Sequence, residues 1–165
     1  MKRLLLLPIL LFTAMATAQD IKITAQGIEP VVVQADSITA MQMYDRVKTY
    51  VQKTYKNPDK VIKVDEPGKL LRFEGYKYYE SGLYNSGNYF FSSQLEFKDG
   101  RYKITFVDVY FKSGTVDIPY TKIFNDKGEV RHYAAYKKQF EFFTDLLNGV
   151  NDAVKAAIMS KEKQW

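Results

Sequence analysis

Along residues 94–107, QLEFKDGRYKITFV, apolar and polar side chains alternate on both sides of Asp99-Gly100. Alternation of period two marks half-buried strands, and Asp-Gly suits a two-residue primed turn because both residues tolerate positive φ. Strands are therefore expected over about 89–98 and 101–111. Counting outward from the turn pairs Lys98 with Arg101, Phe97 with Tyr102, Glu96 with Lys103, Leu95 with Ile104, Gln94 with Thr105 and Ser93 with Phe106. Upstream, VVVQA at 31–35 has the β-branched content of a strand. From Ser37 the apolar positions Ala40, Met43, Tyr44, Val47 and Val51 recur at steps of three and four, which predicts a helix opened by Asp36-Ser37 and stopped by Asn57-Pro58. VIKVD at 61–65 and KLLRFEGYKYY at 69–79 read as strands broken by Pro67-Gly68, followed by a loop, ESGLYNSGN. Turn residues dominate 112–131, with a short strand around Tyr120–Phe124. From Tyr133 to Ile158, Tyr136, Phe140, Phe143, Leu147, Val150, Val154 and Ala157 define one apolar face of a long helix.

The order is thus β-α-β-β-β-α, with the strands in hairpin succession. Such an order implies an antiparallel sheet with helices on one face, an α+β two-layer sandwich. Phe91, Ser93, Leu95 and Phe97, opposite Tyr102, Ile104 and Phe106, form the helix-covered face. On the other face, placing Tyr79 opposite Tyr89 gives the rows Arg72, Glu96 and Lys103; Glu74, Gln94 and Thr105; Tyr76, Ser92 and Val107; and Tyr78, Phe90 and Val109. The apolar end of this face, Tyr76, Tyr78, Phe90, Val107 and Val109, is the candidate binding patch, since exposed apolar patches mark interaction sites. Two outcomes are open: the patch faces solvent, or the stretch 112–131 or the early segment folds over it.

The amino-terminal stretch MKRLLLLPILLFTAMATAQD changes the picture of where the chain works. Lys2 and Arg3, the apolar run from Leu4 to about Met15, and Ala16-Thr17-Ala18 compose a secretory signal peptide with cleavage after Ala18. The apolar run is shorter than the roughly 20 residues of a membrane-spanning helix. Residues 19–30 read as a flexible N-terminal segment, and 31–165 as a single domain. The expected destination is the periplasm or the exterior of a Gram-negative cell. Cysteine is absent, so neither a lipid anchor on cysteine nor a disulfide is available. Loss of 18 of the 165 residues leaves 147, enough for one core, and the net charge of +5 falls to +3 without Lys2 and Arg3. Basic residues alternate with acidic ones, as in KNPDKVIKVDEPGK, which argues against a nucleic-acid partner.

Few residues are suited to chemistry. His132 is the only histidine, and with no cysteine the usual zinc and transition-metal sets are excluded. Neither a G-x-S-x-G elbow nor a phosphate-binding glycine loop occurs, and NDKGE at 125–129 lacks the spaced acids of a calcium loop. No catalytic residue, metal or cofactor is expected. Two classes of function survive: a non-catalytic envelope protein that binds a partner protein, a second copy or a ligand, and a carbohydrate-binding module or carbohydrate-active enzyme using tyrosine platforms and paired carboxylates such as Glu74 and Glu96.

VVVQADSITAMQMYDRVKTYVQKTY, then KDGRYKITFVDV, then a terminal amphipathic helix in an exported chain, together resemble a secreted bacterial family of unknown function described as having a TATA-box-binding-protein-like (TBP-like) fold. The resemblance implies a curved antiparallel sheet with two helices on one side. It brings no activity, cofactor or site residue, and the fold's name does not imply DNA binding.

Overall fold

Helix α1, Ala40–Thr54, shows how closely the chain's local signals work. Its cap lies two residues beyond Asp36-Ser37: Ser37 takes a positive φ of 68°, and Thr39 is the cap. The Thr39 hydroxyl accepts from the Gln42 N–H at 3.2 Å while the Gln42 side chain accepts from the Thr39 N–H at 3.0 Å, a reciprocal capping box that satisfies two otherwise orphaned donors. The three- and four-residue spacing then buries Met43, Tyr44, Val47 and Val51.

This computed structural model describes residues 20–80 and 86–160. The expected signal peptide, residues 1–18, lies outside the described residues. Around α1 the elements run β1 (Val31–Gln34), α1, a single turn α2 (Pro58–Val61), β2 (Ile62–Glu66), β3 (Leu70–Glu80), β4 (Ser86–Lys98), β5 (Arg101–Ser113), β6 (Val116–Pro119), a 3-10 turn (Tyr120–Ile123) and α3 (Ala134–Met159). All strand pairs are antiparallel, in the spatial order β1-β5-β4-β3-β2, with β6 also on β5. No strand forms at Tyr120–Phe124, where one was expected; the short strand β6 lies upstream at Val116–Pro119. Tyr120–Ile123 instead turns the chain toward α3, where Ile123 and Phe124 are buried and the Phe124 ring meets Phe140 at 5.8 Å.

The β4–β5 hairpin pairs as the turn dictates, from Lys98 with Arg101 to Ser93 with Phe106. Only Gly100 has a positive φ, 75°, so the turn is not the expected fully primed one. The turn docks on the helix instead: Gly100 N–H donates to the Ile38 carbonyl at 3.0 Å, Ala35 N–H donates to the Gly100 carbonyl at 2.8 Å, and the Asp99 carboxylate accepts from the Ala40 N–H at 2.8 Å.

Leu71, Phe73, Tyr89, Phe91, Leu95, Phe97, Tyr102, Ile104, Phe106 and Phe111 form the buried face of the sheet. Helix α3 adds Phe143, Leu147, Val154 and Ile158, all fully buried, with Phe143 stacked on Tyr89 at 5.5 Å. Arg46 of α1 donates to the Ile158 carbonyl, where a cation at the carboxyl end of α3 complements the helix dipole. On the other flank of α1, Tyr44 hydrogen-bonds Asp65 of β2, and Lys48 binds the same carboxylate at 2.7 Å.

In the expected N-terminal segment 19–30, the described residues make contacts with the core. Ile23 and Ile28 bridge, Ile21 and Ile23 are buried, and the Ile21 N–H donates to Asn148 Oδ1 of α3 at 2.9 Å. Two isoleucines in a polar context supply enough apolar area to hold the segment on the core.

Candidate interaction face of the sheet

The face of the sheet turned away from the helices has its own register. Strand β3 pairs with β4 as Arg72–Gln94, Glu74–Ser92, Tyr76–Phe90 and Tyr78–Asn88, two residues displaced from the register set by Tyr79 opposite Tyr89. The displacement arises because Ser86-Gly87-Asn88, with the composition of a turn, belongs to β4. Gly87 has a structural reason to be there, since a Cβ at that position would lie 2.2 Å from the Lys112 carbonyl oxygen. A shift of two preserves which side chains face out.

A bulge intervenes between β4 and β5. Ser92 pairs with Val107 and Phe90 with Tyr110, so β4 advances two residues while β5 advances three. Asp108 takes up the extra residue at a φ of 52°, a conformation Asp tolerates better than most residues. Beyond the bulge the parity of β5 reverses. Val109, expected on the open face, is consequently buried on the helix side, and Tyr110 takes its place.

The outcome is a row of rings across three strands. Tyr76 lies 5.4 Å from Phe90, and Phe90 stacks on Tyr110 at 5.1 Å with planes only 8° apart. Pro119 of β6 pairs with Tyr110 near the sheet edge. Tyr76 and Tyr78 are 67% and 55% exposed, a large area for side chains of this size. Val107 is half-buried one row away, beside the buried Ser92. Four of the five expected residues therefore share this face, and Tyr110 is the member that sequence reasoning missed. Its signal was Asp108, a poor strand former inside a strand.

Charges flank the rings and alternate in sign. Lys103 pairs with Glu96 at 2.8 Å, Lys63 with Glu74 at 3.2 Å and Lys112 with Asp117 at 3.5 Å. Hydrogen bonding from Lys103 holds the Glu96 carboxyl below its usual range, outweighing its slight burial. Neither segment that could have folded over the face does so: 20–30 packs on α3, and Ile123-Phe124 joins the core on the helix side. Among the described residues no group of three metal-ligating side chains exists, and His132 is exposed in the link before α3.

Residues 30–112 match the family model described as a domain of unknown function (DUF4468) with TBP-like fold. The chain belongs to this family. The DUF4468 match spans β1 to β5, which includes Tyr76, Tyr78, Phe90 and Tyr110. A DUF4468 family protein from Bacteroides ovatus has a similar solved structure, with a TM-score of 0.62 at 11% identity over 88% of this chain and 94% of that one. A TBP-like protein from Parabacteroides distasonis gives a TM-score of 0.55 at 12% identity, over 77% and 91%. At such identities the likeness concerns the fold: an antiparallel sheet with helices on one face. No curated protein matches the chain. The family's description names a fold and no reaction. Among the described residues no helix is long and apolar enough to cross a membrane.

Proposed function

We propose that this DUF4468 chain is an exported, non-catalytic envelope protein that binds a partner protein through the open face of its sheet, centred on Tyr76, Phe90 and Tyr110. The observation that carries the reading is the row of three touching rings beside the exposed Tyr78, with no described element laid over it. Tyrosine combines a rigid apolar ring with a polar tip, and such residues supply much of the energy of protein interfaces. The mixed signs of the flanking pairs speak against a phosphate backbone, which calls for a surplus of cations.

The signal pattern of residues 1–18 supports export. Among the described residues the first buried side chain is Ile21. Cell fractionation with N-terminal sequencing tests this part: the exported form begins at Gln19, and a form that keeps Met1 outside the cytoplasm contradicts it. For the binding face, the mature chain and its Tyr76→Ser/Tyr78→Ser variant are used to capture partners from envelope extract, with a glycan screen in parallel. A specific protein captured only by the parent chain supports the reading. Capture unchanged by the variant, or a glycan as the only ligand, overturns it.

A further inference from the structure

On the opposite side of the sheet, β6, the 3-10 turn and the first turns of α3 line an open groove of about 480 Å³, with the exposed Tyr133 among its lining residues. Its size falls within the range of small-molecule sites, ~300–1,000 Å³. Tyr89 and Phe111, both buried in the sheet, form its floor, and Tyr120 and Tyr136 stand in its walls. Among the described residues lining it, Lys122 is the single charged side chain. No aspartate or glutamate there offsets it, and Lys122 makes no ion pair among the described residues.

A second cation, Arg131, does not line the groove. Its Nε donates to the carbonyls of Lys122 and Phe124 at 3.1 and 3.0 Å, and its guanidinium lies 5.7 Å from the centre of the Tyr136 ring. Arg131 thereby holds the backbone that carries Lys122. A mostly apolar groove whose one charged lining residue is a cation complements a molecule with an apolar body and one anionic head.

We infer that this groove binds a small apolar carboxylate, its head group on Lys122 and its body among the rings of Tyr89, Phe111, Tyr120 and Tyr136. The site is separate from the open sheet face and does not depend on the partner-binding reading. Decanoate below its micellar concentration is the probe, decanol the uncharged control, and calorimetric titration of the mature chain the readout. One saturable decanoate site is expected, with decanol binding at least fivefold more weakly. Lys122→Gln, at an exposed position where folding is not at stake, should weaken decanoate about fivefold to tenfold and leave decanol unchanged. Ala135→Trp, which adds a large ring at a lining position, should abolish binding of both, with far-ultraviolet circular dichroism confirming the fold. Absence of saturable binding to the parent chain, equal affinity for decanol, or indifference to either substitution overturns the inference.

Discussion

The Asp99 carboxylate accepts a hydrogen bond from the Ala40 backbone N–H at 2.8 Å across 59 residues of sequence. The β4–β5 turn is thus a cap for α1 as well as a link between strands. It places a negative charge at the amino end of a helix whose first turn contains no acid. Asp99→Ala should cost about 1–2 kcal/mol in urea unfolding, whereas Asp99→Asn, which keeps the acceptor, should cost less than half of that. Equal losses in the two variants would show that the contact contributes little.

Phe143 is fully buried and meets both Tyr89 and Tyr120 at 5.5 Å. Phe143→Ala should lower unfolding free energy by roughly 3–5 kcal/mol, because the cavity left between α3 and the sheet cannot close without moving either. Denaturant titration checks this, and a midpoint within error of the parent chain would contradict the packing.

Asp65 joins α1 to β2 through Tyr44 and Lys48. The Lys48 hydrogen bond, followed by that from Tyr44, holds its carboxyl below the ordinary value of 3.8. A carboxyl depressed in the folded state stabilises above its unfolded value and loses that contribution as pH falls through the folded one. Asp65→Asn should therefore lower the melting temperature modestly at pH 7, and the difference from the parent should vanish in strong acid. Partial exposure of both partners keeps the effect small. A difference that is constant with pH would rule out the ion pair as its source.

Burial raises the phenols of Tyr89 and Tyr102 and pushes Tyr55 up to about 12, against an ordinary value of 10.0. Raised folded values stabilise below pH 10 and fail as pH climbs toward them. Alkaline unfolding should thus begin above about pH 10, with a cooperative fraction of the tyrosinate absorbance appearing together with loss of circular dichroism. Ionisation of every tyrosine without unfolding would contradict the burial of these three.

What could be read before the fold was seen follows the range of the forces involved. The hairpin register from Lys98–Arg101 to Ser93–Phe106 was legible because a two-residue turn leaves no freedom in counting. It failed just beyond Ser92–Val107, where Asp108 bulges and sends Val109 inward. The β3–β4 register missed by two because the length of a connection cannot be read when its flanks, Ser86-Gly87-Asn88, have the composition of a turn yet pair in the sheet. Helix α3 was legible as a stripe, but Gln139 and Asn151, buried within that stripe, break the apolar pattern. The groove beside Lys122 was not legible at all, since it depends on how β6, the 3-10 turn and α3 meet. The docking of Ile21 on α3 is equally non-local.

The central claim is that the ring-lined face is an interaction surface and not part of the core, and Tyr76→Ser/Tyr78→Ser tests it most directly. Both rings are more than half exposed, so their loss should leave the unfolding free energy from urea titration within about 1 kcal/mol of the parent chain. Binding to the captured envelope partner, measured by surface plasmon resonance, should weaken at least tenfold, as truncation of aromatic anchors at an interface does. Destabilisation of roughly 3 kcal/mol or more, the value of a buried ring, or unchanged partner affinity in a stably folded variant, would contradict the account.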